Sequence, residues 1–168
     1  MKDSGFTIIE VVIASFVFAI IGIIVGNIFV QSSALQRRGF SAQAIQENMQ
    51  FSLELMAKEI RVSAINTSDN DCTSSSLSIT HPTEGSIVYG LSNGVITRNE
   101  GGFSTDITST KVNVIKLAFC ITGASIGDDR SPRVTIVSTV QNRNGPEILT
   151  VPIQTTVTSR DIQAEFVN

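Results

Sequence analysis

Three patterns of apolar and polar positions succeed one another along the 168 residues. From Phe6 to Val30 apolar side chains dominate, and Glu10 is the only charge in that run. From Gln31 to Ala64 apolar residues recur every three or four positions among polar ones. Beyond Ser76 they alternate in short runs divided by Gly, Asn, Asp and Pro. These patterns predict a membrane-length helix, an amphipathic continuation of it, and a series of β-strands.

A helix over residues 6–30 would measure roughly 37 Å at about 1.5 Å per residue, enough to cross a bilayer. A carboxylate inside such a segment is costly to bury and is a functional signal by default. Within the same run Gly22 and Gly26 form a small-xxx-small spacing that lets helices approach closely. In the second segment Leu35, Ala42, Ile45, Met49, Leu53, Met56, Ile60 and Ala64 fall on one helical stripe. Ala44, Phe51, Leu55 and Val62 fall on another, roughly opposite. A helix lying on one globular domain needs only one apolar face. The second stripe therefore points to neighbouring subunits, or else to burial on both sides.

Residues 66–76 read as a polar loop, followed by a short strand at Leu77 to Thr80. Ile87 to Leu91 and Val95 to Arg98 flank Asn93-Gly94, the signature of a tight hairpin. Residues 99–109 read as a connection. In Val112 to Ile121, Ile115, Leu117, Phe119 and Ile121 alternate onto one face, with Cys120 on the other. A turn is expected at Gly127-Asp128-Asp129. A last hairpin pairs Arg133 to Gln141 with Ile148 to Ser159 around Asn144-Gly145-Pro146, and Pro152 marks its second strand as an edge or a bulge.

Composition narrows the function. Lys and Arg number 12 against 15 acids, a net charge of −3, so no basic field calls for a nucleic-acid partner. His81 is the only histidine. Phosphate-loop, GxSxG, HExxH and Cys/His patterns are all absent, so the chain does not read as an enzyme and no cofactor is expected. Asp69 and Asp71 lack the Gly and distal Glu of an EF-hand, so no metal site is expected. Asn66-Thr67-Ser68 fits a glycosylation sequon. Cys72 and Cys120 read as one disulfide in an exported protein, or as two buried thiols in a cytosolic one. The N-terminus is not an ordinary secretory signal. Its apolar core is long, and its small residue, Gly5, precedes that core.

Gly5-Phe6-Thr7-Ile8-Ile9-Glu10 followed by an apolar helix resembles the prepilin signature of type IV pilins and type II secretion pseudopilins. Residues 51–64, with Leu53 to Arg61, are similar to the end of the long helix in minor pilins and J-type pseudopilins. The chain departs from many members in holding Ala19 and Asn27 where helix breakers stand. The resemblance implies a pilin-like α+β fold, in which a long N-terminal helix packs on an antiparallel β-sheet of four to six strands. It implies a leader at 1–5, a transmembrane and assembly helix at 6–30, its amphipathic continuation at 31–65, and a β-rich domain at 66–168.

By the same resemblance, prepilin peptidase cleaves between Gly5 and Phe6 and methylates the Phe6 amine. Glu10 would then pair with the Phe6 amine of a neighbouring subunit. The implied partners are other pilin or pseudopilin subunits, the prepilin peptidase, an inner-membrane assembly platform and, before assembly, the bilayer. The expected location is the inner membrane, single pass, with the C-terminal domain outside the cytoplasm, and then a periplasmic or extracellular filament. The leading reading is a minor subunit that helps initiate or cap a filament. The alternatives are a filament-tip adhesin or ligand-binding pilin, and a signal-anchored domain that never assembles.

Overall fold

The computed structural model describes residue 5 and residues 7–125, 130–143 and 148–160. The turns expected at Gly127-Asp128-Asp129 and Asn144-Gly145-Pro146 lie outside them. The chain divides into two units, Met1–Phe40 and Ser41–Asn168. One helix, α1 (Ile8–Val62), contributes to both, and its buried residues, among them Ile45, Met49, Met56 and Ile60, all fall in the second.

In that second unit α1 packs against two antiparallel sheets. The strands in chain order are β1 (Ala64–Ile65), β2 (Asn70–Ser74), β3 (Leu77–His81), β4 (Gly85–Ser92), β5 (Val95–Glu100), β6 (Phe103–Asp106), β7 (Val112–Thr122), β8 (Arg133–Asn142) and β9 (Thr150–Thr158). One sheet has the order β1-β3-β4-β5-β6 and the other β2-β7-β8-β9. The α+β arrangement of helix on antiparallel sheet agrees with expectation. The strands, however, divide between two sheets and outnumber the four to six anticipated. The additional ones are β1, β2 and β6, which are short and bury none of their residues fully. Each is held by main-chain pairing rather than by an apolar face, so no alternation announces it. Thus β2 lies inside the segment read as a loop, and β6 inside the segment read as a connection.

The helix contributes Ile45, Met49, Met56 and Ile60 to a single core, joined by Leu77, Ile79 and Tyr89 from one sheet and Phe119, Ile121, Ile136 and Val140 from the other. Ser52 interrupts the helical stripe but is buried, donating to Ile107 O at 2.7 Å and so tying α1 to the segment after β6. The face assigned to β7 needs correction at one position. Ile115 is about half exposed, while Val112 and Val114 are buried. The register with β8 shifts between Val114 and Lys116, so Ile115 is the extra residue of a bulge and the inward parity changes there. After the bulge Leu117, Phe119 and Ile121 point inward as expected. At the far margin of the sheet, β9 is an outer strand, the place its Pro152 requires.

The two sheets are stitched together at the β4–β5 turn. Asn93 and Gly94 both adopt left-handed φ, 50° and 76°, the conformation of a type I′ hairpin. Gly94 O accepts from Val114 N at 2.8 Å, and Asn93 O accepts from Arg143 Nη2 at 2.8 Å. A Cβ on Gly94 would collide with the Asn113 side chain.

Candidate functional site

The first unit holds the charged residue that the pattern singled out. Thr7 is non-helical and Ile8 is the first helical residue, so Thr7 is the N-cap and Glu10 the third helical position. Thr7 Oγ1 accepts from Glu10 N at 3.3 Å. In return Glu10 Oε2 accepts from Thr7 N and from Thr7 Oγ1, both at 3.0 Å. This reciprocal pair is a capping box, worth about 1 kcal/mol of helix stability where its cap side chain is concerned. Both of these bonds to the carboxylate converge on Oε2. Gly5 is exposed, and Phe6 lies outside the described residues. Within a single chain, then, Glu10 meets Thr7. Thr7-x-x-Glu10 before an apolar run is a helix-start signal in its own right, independent of the prepilin-like signature that contains it.

The helical stretch that follows is long and apolar enough to cross a membrane, and none of its most apolar window is buried in the chain. Ser15 Oγ donates to Val11 O at 2.8 Å, so that hydroxyl needs no partner from outside the helix. Phe16, Phe18, Ile23 and Phe29 are all exposed, and a side chain added at Gly22 or Gly26 would meet nothing within 4 Å.

In the second unit the two cysteines meet in a disulfide, Cys72–Cys120, which spans a sequence separation of 48. The pairing is prepared by a register shift. Asn70 opposes Ile121 and Ser74 opposes Phe119, so β2 bulges at Cys72, whose φ is 60°, opposite Cys120. Asp69 anchors the entry to this bulge by accepting from Gly123 N at 3.1 Å and Ala124 N at 2.8 Å. Its carboxylate is thus used by backbone donors.

A partly buried polar cluster around the buried Tyr89 fastens the helix end to the first sheet. Glu59 accepts from the Tyr89 hydroxyl and from Arg98 Nε at 3.1 and 3.2 Å, and Arg98 also pairs with Glu84 and Glu100. Burial, reinforced by the hydrogen bond to Glu59 and its charge, pushes the Tyr89 phenol well above its usual range. Burial alone would weaken the charge on Arg98, but its bonds to Glu100 and Glu59 reverse that and hold its proton more firmly than usual. Sequence alone did not find this cluster; the only hint was a tyrosine at a core position, since a buried phenol needs a partner. On the outer face of the same helical segment, Phe51 and Val62 remain exposed, and Leu55 is half-buried.

Residues 1–26 match the family model described as the prokaryotic N-terminal methylation motif, the signal of type IV pilins and pseudopilins. No curated protein and no solved structure matches the chain.

Proposed function

We propose that this chain is a minor pilin or pseudopilin, a structural subunit that is cleaved after Gly5, N-methylated at Phe6 and built into a filament through its N-terminal helix. The observation that carries the reading is the coincidence of the methylation motif with Glu10 at the start of a helix whose most apolar window is wholly unburied. Cleavage frees an α-amino group that is mostly protonated at neutral pH, since its reference pKa is about 7.7–8.0, and methylation keeps that charge. A neighbour's Phe6 amine approaching Glu10 would find a carboxylate already oriented by Thr7 through Oε2. In apolar surroundings an unpaired acid costs several kcal/mol, so the pair both rewards assembly and sets the register between helices. The exposed Phe51 and Val62 supply a second contact face. The disulfide fits a domain held outside the cytoplasm, with prepilin peptidase and an inner-membrane platform acting on the subunit before assembly. The minor role rests on the resemblance of residues 51–64.

Mass spectrometry of the mature N-terminus tests the processing. N-methyl-Phe6 is expected, and an intact Met1 would overturn it. Purified filaments test the role, which requires the protein to be present at a small fraction of the principal subunit.

A further inference from the structure

Little in β2 itself keeps that strand in place. None of its five residues is fully buried, and Asp71, Cys72 and Thr73 are exposed. The register with β7 gives it partners at Asn70 and Ser74, one on either side of the bulge. Between them Cys72 is held at a φ of 60°, in the left-handed region that residues with a side chain seldom occupy. The flanks are tied to other elements. Asn66 N donates to Ser78 O at 2.9 Å, Thr67 Oγ1 accepts from Ser78 N at 2.9 Å, and Leu77 enters the core. Between these ties, no side chain of residues 68–76 joins the core. Ordering a backbone costs conformational entropy that apolar burial ordinarily offsets. Here the offset comes from the two bonds of Asp69, which fasten only the entry to the strand, and from the bridge to Cys120.

We propose that the Cys72–Cys120 bridge is a redox-operated lock on β2. Closed, it holds the strand on β7; opened by a dithiol reductant, it releases residues 68–74 while the core stays folded. Cys72 is exposed and Cys120 half-buried, so an incoming thiolate reaches Cys72 Sγ first. Attack there forms a mixed disulfide with Cys72 and expels the Cys120 thiolate, which takes up a proton. The second thiol of the reductant then attacks the reductant's own sulfur in that mixed disulfide. Its disulfide closes and Cys72 leaves as a thiol, so two electrons pass from the dithiol to the cysteine pair. Once free, Cys72 can abandon its left-handed conformation, and β7 loses its outer neighbour at Phe119 and Ile121. Its inner neighbour, β8, pairs with it from Val112 to Thr122 and keeps it in the core. One segment of a stable domain thus takes its order from the thiol–disulfide balance of its surroundings. The inference goes beyond the filament reading and stands without it, since it is measured on unassembled subunits.

The test is amide hydrogen exchange, read by mass spectrometry, on the full chain in neutral detergent micelles with and without dithiothreitol. No denaturant is added, so the bridge must open on the folded protein. In the oxidised chain residues 68–74 should be protected. After reduction they should exchange at the rate of an unstructured peptide, while residues 45–60 of α1 remain protected by at least roughly a hundredfold. Cys72→Ser and Cys120→Ser should each reproduce the reduced pattern without reductant, and reoxidation of the wild-type chain should restore protection. Asp69→Asn in the oxidised chain should leave residues 70–74 protected, because the bridge rather than the entry bonds retains the strand. A bridge that resists excess dithiothreitol until denaturant is added overturns the proposal. So does continued protection of residues 68–74 in the reduced chain, or loss of protection to the same level in residues 45–60. Release of β2 by Asp69→Asn with the bridge intact would equally remove the lock from the cysteines.

Discussion

The two parts of α1 are continuous in backbone and opposite in what they do with their apolar side chains. Between Ile45 and Ile60 the helix buries its stripe among β-strands of its own chain. Between Ile8 and Val30 the large apolar residues are exposed, and none of the described residues of the first unit joins the core. The second unit can therefore account for its own stability, because burial of each large side chain is worth about 1.5–3 kcal/mol. The first unit cannot. Its helix is satisfied along the backbone and capped at Thr7, but its side chains need lipid or other helices. The stability of the folded domain thus resides in the second unit, while the first presents the larger exposed apolar surface on which the proposed assembly chiefly draws.

The sharpest way to break this division is a core truncation. Phe119→Ala should lower the stability of the second unit by about 3–5 kcal/mol, read from its thermal or denaturant transition. N-terminal cleavage should continue at the wild-type rate. If processing fell in parallel with stability, the two units would not be separable. Removing the Cys72–Cys120 bridge should cost about 2–4 kcal/mol, given the length of loop it closes, again without effect on cleavage.

Glu59→Gln is next, with an expected loss of about 1–3 kcal/mol, since it removes the charge that faces Arg98 and weakens the bond to Tyr89. The same cluster predicts a pH dependence. The Tyr89 pKa is raised on folding, so its contribution is fully present below the unfolded value of about 10. Above that pH the unfolded chain releases a proton that the folded chain keeps, and stability falls as pH rises toward the folded value. Alkaline unfolding that is blunted in Tyr89→Phe would confirm the assignment, and an unchanged profile would refute it.

The smallest effect belongs to the first unit. Thr7→Val should fray only the first turn, costing about 1 kcal/mol, visible as faster amide exchange at Ile8 to Val11 in micelles. The transition of the second unit should not move. Glu10→Gln, which keeps a hydrogen-bond acceptor but loses the charge, should cap almost as well as Glu10 yet fail to enter filaments. Normal incorporation would remove the carboxylate from the assembly reading.

The legible features were those in which one side chain answers to one solvent. Apolar runs and stripes locate α1, β7 and β8 because burial imposes a period. Asn93-Gly94 locates a hairpin because few other residues tolerate its φ values. What stayed hidden depends on partners distant in sequence. The β2 and β6 strands are mostly polar, Phe103 being exposed, and their main-chain bonds are supplied by β7 and β5. The bulge at Ile115 is set by the register with β8, and nothing local to Val112–Thr122 encodes it. Glu59, Tyr89 and Arg98 each look ordinary alone. At the helix start the reverse holds: the Thr7–Glu10 cap is local, encoded by two residues three apart, even though Glu10 also fits an intermolecular role.

The position of Pro152 has a further consequence. A protein proposed to polymerise through helices carries, in β9, a strand whose outer edge could polymerise by an entirely different route. An open edge is a template for adding foreign strands, and growth along it would produce sheet-like aggregate in place of an ordered fibre. Proline lacks an amide hydrogen, so no strand can complete a regular ladder across position 152. The residue that looks like a flaw in the last strand would therefore keep self-association on a single track.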